Sequence, residues 1–376
     1  MQNSAAHQLL HELQDASVDS EFGVTLQRRY ADLAKFLPKS VEDMANAAFG
    51  SNIPPLVNEI IQISGKKMPT PLESPARYAL MSRMQVQIEK ILSTPPLHPF
   101  VIGTLPSGNF NGMAIRVPKT TEEYLIVLES GLFNFLYRLG SVMNLVWPSG
   151  DKHLSCNWQA KTRGLESVLS GNMIAMNSFE RLVLKYLVTG RPNGAFPIKT
   201  NASISHSQLV AASELFVLAH EYGHVMSGHL TNPTTKLRSV GVKQLAEVQN
   251  SWAEEFEADE KGFEFAVRAG ALDGISPAMT CGGVALFFSS AEIITNSLSL
   301  VLTGEIMEVK SVTHPPCGER LNRIKQIAKD KWGIEACQFA SSVQVILQAF
   351  GKAIVLSLQQ HHKAHTKIAP AWKRTE

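Results

Sequence analysis

The sequence is short of several things that would each have decided its class. Its four cysteines, Cys156, Cys281, Cys317 and Cys337, lie far apart and show neither CxxC pairing nor a dense pattern. That sets aside a disulfide-stapled scaffold and fits a reducing compartment. Charge of one sign is missing too: 35 Lys and Arg stand against 33 Asp and Glu, for a formal net charge of +2. The basic positions are dispersed rather than gathered into a stripe, which argues against a dedicated nucleic-acid surface. No clean hydrophobic run is present either. The stretch 282–302 carries Glu292, and the stretch 339–358 carries Gln344, Gln348 and Lys352. Neither reaches the roughly 18 uninterrupted apolar residues of a clear membrane span, so both are expected to be buried helices and membrane association is not expected. The amino terminus has no basic segment followed by an apolar one, so a cytoplasmic protein without a secretory leader is the expectation.

What is present is a chain of 376 residues, long enough to bury a substantial core. Apolar residues recur at three- and four-residue spacings up to about Phe36, again from Arg77 to Leu92, from Leu132 to Leu139 and from Gly164 to Val188, and all of these predict helix. Between them Phe100–Ile102, Met113–Val117 and Tyr124–Leu128 are short runs suited to strands. Gly108 and Gly112 can turn between the first two and 118–123 between the last two, so antiparallel pairing is expected. Proline and glycine mark connections at 52–55, 66–75 and 191–197, with a surface loop at 150–153. The resulting expectation is an α+β fold, mainly helical, with a small antiparallel sheet lining a cleft. Its organisation would be an N-terminal helical region (1–95), a catalytic core (96–335), and a C-terminal helix with a polar tail (336–376) packed on that core.

The chemistry gathers at His220-Glu221-Tyr222-Gly223-His224. Residues four apart on an α-helix share a face, so His220 and His224 can turn neutral imidazoles toward one ion while Glu221 stands beside the water it activates. Ser205 or Ser207 can cap this helix, predicted over 207–228. A zinc site that does chemistry needs a third protein ligand from another element and one open position. Glu255, on a helix predicted over 250–268, is the candidate, and Asp259 one turn later can hydrogen-bond the outer nitrogen of a ligand histidine. Glu254 and Glu257 are read as solvent-facing charges, either of which replaces Glu255 if the register shifts. His229 falls at the Gly228-His229 step that marks the end of the first helix and is set aside as a ligand.

The HExxH helix followed by Glu255 and Asp259 resembles the gluzincin metallopeptidases, and the segment EEFEADEKG is similar to the signature of their M48 group, the relatives of the bacterial heat-shock membrane protease and the CAAX prenyl endopeptidase. Two flanking stretches carry a weaker likeness. Residues 111–132, with NGMAIRVP, EEYLIVLES and GLF, look like that group's hairpin, which presents an edge strand to substrate. Thr313-His314-Pro315-Pro316 and Glu319-Arg320 resemble its THPP and ER element. The resemblance implies zinc held by His220, His224 and Glu255, Asp259 behind a ligand histidine, Glu221 as general base, and His314 and Arg320 near the reacting carbonyl. It implies a peptide or protein substrate, drawn out along an edge strand near 124–128 and cut by an endopeptidase mechanism. Two other readings stand beside it: a non-catalytic metal-binding interaction protein on a peptidase fold, and a defence or toxin-like protease with one target.

Overall fold

The computed structural model of the chain describes residues 4–18, 20–51, 53, 58, 61–63, 68–94, 100–117, 123–146, 172–190, 203–231, 235–240, 243–248, 251–306 and 314–363. The loops expected at 150–153 and 191–197, the start of the helix expected from Gly164, Cys156, Thr313 and the tail beyond 363 lie outside these residues. The described part is mainly helical with a small sheet, the α+β class expected.

The amino-terminal helix is two helices, α1 (Ala5–Ala16) and α2 (Ser20–Phe49). Ser17 closes α1 by donating from both its backbone N–H and its hydroxyl to the Leu13 carbonyl, and α2 runs past Phe36 through Pro38. After α3 (Pro75–Ile91) come β1 (Val101–Leu105), β2 (Gly112–Arg116), β3 (Tyr124–Glu129) and α4 (Ser130–Met143).

These strands form a mixed sheet in the order β1-β3-β2, not the antiparallel sheet expected. β1 runs parallel to β3, with Val101 opposite Leu125 and Leu105 opposite Glu129. β2 and β3 make the antiparallel hairpin, with Gly112 opposite Leu128 and Arg116 opposite Tyr124. The reason lies in the side chains. Leu125, Ile126, Val127 and Leu128 are all fully buried, so β3 is covered on both faces and belongs in the middle, whereas β2 alternates between buried and half-buried positions as an edge strand does. The edge expected at 124–128 is therefore at 112–116.

Next in the chain come α5 (Met173–Thr189), α6 (Ser203–Met226), a hairpin of β4 (Thr235–Val240) and β5 (Lys243–Val248), and α7 (Trp252–Ala271). The α6 helix starts before the expected 207, so Ser205 and Ser207 lie within it rather than at its start. Ser251 does cap α7, in a capping box with Glu254. The chain ends in α8 (Pro277–Thr303), α9 (Cys317–Trp332) and α10 (Ile334–Lys363).

The helices α8 and α10 cover the two apolar stretches of the sequence. Each is long and apolar enough to cross a membrane. They pack on one another, with Cys281, Val284, Leu286 and Phe288 of α8 and Phe339, Val343, Leu347 and Phe350 of α10 buried in the largest core cluster. That burial is what a core helix requires of such a sequence.

A second, smaller cluster seats α1 on the sheet through Ala6, Leu10 and Leu13. Under it lies a buried polar knot. The Glu73 carboxylate accepts from Gln14 Nε2 (3.0 Å), Thr104 N (2.8 Å), Thr104 Oγ1 (2.5 Å) and Ser74 N (3.1 Å). Gln14 also donates to the Thr104 carbonyl at 2.8 Å and accepts from the Thr70 hydroxyl. Burial pushes Glu73 up to about 7 despite these four donors.

Candidate metal centre and cleft

The centre is built where α6 and α7 touch most closely. An added Cβ on Gly223 would lie 2.7 Å from the Ala258 carbonyl oxygen, and one on Gly262 would lie 2.7 Å from the His220 Cα. Both neighbours are backbone, so glycine at these positions lets the two helices approach this closely. Tyr222 points away from the centre, is fully buried, and its hydroxyl bonds Glu89 at 3.2 Å.

At this crossing the structure brings together the predicted donors. His220 Nε2 and His224 Nε2 are 3.1 Å apart, His224 Nε2 is 3.4 Å from Glu255 Oε1, and His220 Nε2 is 3.8 Å from Glu255 Oε2. All three side chains are buried, and their donor atoms lie within 4.8 Å of one another. A tetrahedral zinc with bonds near 2.1 Å sets its donors about 3.4 Å apart, so these spacings bracket what the ion needs. Two imidazole nitrogens and a carboxylate oxygen are also the donor types zinc takes. The group could hold a metal ion.

Each predicted accessory residue has a definite place. Asp259 Oδ1 lies 3.0 Å from His220 Nδ1, on the nitrogen facing away from the centre. Arg320, on α9, donates twice to Asp259 at 2.7 Å, lies 3.2 Å from Glu255 Oε2 and stacks 4.8 Å over the Phe288 ring. Its guanidinium is thus engaged with carboxylates of the site. His314 is half exposed at the rim and puts Nδ1 3.0 Å from Glu255 Oε2. Glu254 is taken by the helix cap, and Glu257, half exposed, contacts His229 and Lys261.

The electrostatics follow from these neighbours. Burial opposes ionisation of Glu255, but hydrogen bonds from His224 and His314 and the charges of His220 and Arg320 outweigh it and hold the carboxylate far below its usual range. Asp259 is held low in the same way, burial being overcome chiefly by Arg320. Glu221 is the exception. Burial pushes it up to about 7, with His220, His314 and the Ala114 backbone N–H pulling the other way. That N–H belongs to β2, so Glu221 rests against the edge strand.

A cleft of about 990 Å³ opens over the centre. Residues 111–114 of the β2 side form one wall, and Phe287, Phe288, Ala291, Glu292 and Thr295 of α8 form another, with His314 and the 315–320 segment between. Phe110 stacks on Phe287 at 5.5 Å, so the floor beside the donors is aromatic. The α8 wall was not anticipated, although the adjacent aromatic pair Phe287-Phe288 was a usable signal.

Residues 191–330, a little over a third of the chain, match the family model Peptidase U49. The match spans α6, α7, α8 and all but the last two residues of α9, where the donors and Arg320 lie, and it supports proteolytic activity in general. Neither the curated proteins nor the solved structures gave a match.

Proposed function

We propose that the chain is a zinc-dependent endopeptidase of the gluzincin type, with His220, His224 and Glu255 as the metal ligands and Glu221 as the general base. The observation that carries this reading is the convergence of three buried donors at a cleft edged by a strand, with a carboxylate of raised pKa beside them. A similarity to a peptidase family over the same residues supports it independently.

Zinc bound there would supply Lewis acidity, polarising the scissile carbonyl and making a water acidic enough to lose its proton near neutral pH. The residues do the rest. Glu221, beside the donors and against the edge strand, is assigned to taking that proton and delivering it to the departing amine. The edge of β2 offers main-chain pairing to an extended peptide, which sets the scissile bond against Glu221 because Glu221 itself leans on Ala114. His314, at the rim, is assigned to the charge that develops on the carbonyl oxygen. Arg320 is assigned to holding Asp259 and Glu255 in place and ionised. The aromatic floor favours a large apolar side chain next to the cleaved bond.

Metal analysis paired with an unbiased peptide-library digest of the wild type and Glu221→Gln tests the reading. About one zinc per chain is expected in both, with cleavage reduced by roughly 10²–10⁴-fold in the variant. Cleavage at the wild-type rate in Glu221→Gln would remove Glu221 as the base. Zinc bound without any cut peptide would favour the interaction-protein reading.

A further inference from the structure

His220 and His224 are not supported alike. His220 has Asp259 on its outer nitrogen, and the sequence announces that partner by its place one turn after Glu255. His224 has a different partner, delivered by the way α6 ends. Gly228 has φ +74, its N–H bonds the Val225 carbonyl at 3.0 Å, and the His229 N–H bonds the His224 carbonyl at 3.1 Å. That pair of bonds is a Schellman motif, which folds the residue after the glycine back over the residue five before it. Most such motifs close with an apolar contact at this place. Here the two residues are His229 and His224, and their Nδ1 atoms lie 3.0 Å apart.

We propose that His229 is a positioning residue for the metal centre: it accepts the Nδ1 proton of His224 and so keeps the lone pair of His224 Nε2 turned toward the ion. This rests on the metal reading given above. The polarity of the contact is fixed from its far end. His229 Nε2 lies 3.3 Å from Glu257 Oε2, and a carboxylate only accepts, so this nitrogen of His229 carries the proton and donates. A neutral His229 protonated on Nε2 has a bare Nδ1, which accepts. With an ion on Nε2 in place of its hydrogen bond to Glu255, His224 would then donate from Nδ1 to this acceptor.

The far end is itself held. Glu257 Oε1 takes a hydrogen bond from Lys261 Nζ at 2.8 Å, and the same ammonium bonds Ser227 Oγ at 2.8 Å, which ties α7 to the end of α6 just before the motif. The His229 side chain is 5 % exposed, so water competes little for its ring nitrogens. The relay His224–His229–Glu257 is thus the counterpart of His220–Asp259, made from a helix terminus instead of a helix face.

The test is zinc affinity of the full chain, measured by chelator competition, for the wild type, His229→Leu and His229→Asn. Leucine removes the acceptor, and asparagine restores an oxygen near the place of Nδ1. Loss of the acceptor is expected to weaken zinc binding by about 10–100-fold, with asparagine recovering most of it. The unfolding midpoint in excess chelator should be alike for the two variants, which separates positioning from packing. If the wild type binds zinc and His229→Leu binds it equally tightly, the relay is wrong while the site stands. If the wild type binds no zinc, the site reading fails and the relay with it. Should His229→Leu not fold, Glu257→Ala, which removes the acceptor from a half-exposed side chain, carries the test, with a weaker loss in the same direction expected and an unchanged affinity counting against the relay.

Discussion

Glu73 beneath the amino-terminal helix and the pair Glu255–Asp259 at the candidate metal centre are all buried carboxylates, and burial alone would raise the pKa of each. Their neighbours send them opposite ways. Glu73 meets four neutral donors and is pushed up to about 7. Glu255 and Asp259 meet Arg320 and imidazoles and are held ionised. Four hydrogen bonds are enough to satisfy a carboxylate that only ties α1 to β1. Two carboxylates packed side by side at the centre stay ionised because the fold sets a guanidinium against both.

The largest effect should come from removing that guanidinium. In chelator-treated protein, Arg320→Met leaves two buried carboxylates with reduced compensation and should cost about 3–5 kcal/mol in urea unfolding, with a smaller loss when zinc is restored. A loss below about 1 kcal/mol in chelator would mean that the histidines suffice and would break the contrast.

Glu73 should show the opposite signature, in pH. Its folded pKa of about 7 lies above the unfolded value of 4.5, so the folded chain holds this proton more tightly. The stability it contributes is full below 4.5 and is lost as pH rises through 7, by about 3 kcal/mol for a difference of this size. Unfolding free energies of the wild type and Glu73→Gln should therefore diverge by about that amount in favour of the variant between pH 4.5 and 8. A difference that stays flat would mean the four donors keep Glu73 charged, and the two regions would then be alike.

The sequence exposed one of these regions far better than the other. His220, Glu221, His224, Glu255 and Asp259 are legible because helical spacing converts directly into a shared face, and the structure brings them together. Strand positions were legible as short apolar runs, but pairing was not. The parallel β1–β3 contact joins segments separated by β2, and only the unbroken Leu-Ile-Val-Leu run of β3 hinted at a central place. Ser205 and Ser207 misled because a serine inside a helix resembles one that caps it. Glu73, Gln14 and Thr104 could not be found at all, since their contacts span 31 to 90 residues and follow no period. His229 was visible only as the end of a helix, and its use depends on a side-chain contact that the capping motif creates.

The smallest effect separates the regions by how each is packed. Gly262→Ala sets a methyl 2.7 Å from the backbone of His220, so α6 and α7 must part. Overpacking of about 1–3 kcal/mol is offset by about 1 kcal/mol of improved helix propensity, leaving a net loss of up to about 2 kcal/mol. In Gly103→Ala the new methyl meets the methyl groups of Leu10 at 2.5 and 2.6 Å and Glu73 Oε2 at 3.1 Å, all of them side-chain ends rather than backbone. Its cost should stay below about 1 kcal/mol. Calorimetry ranks the two, and chelator competition adds the sharper distinction. Parting α6 from α7 moves His220 and His224 relative to Glu255, so zinc affinity should fall in Gly262→Ala and hold in Gly103→Ala. Equal affinity in both would mean that the donors do not depend on how closely the two helices cross.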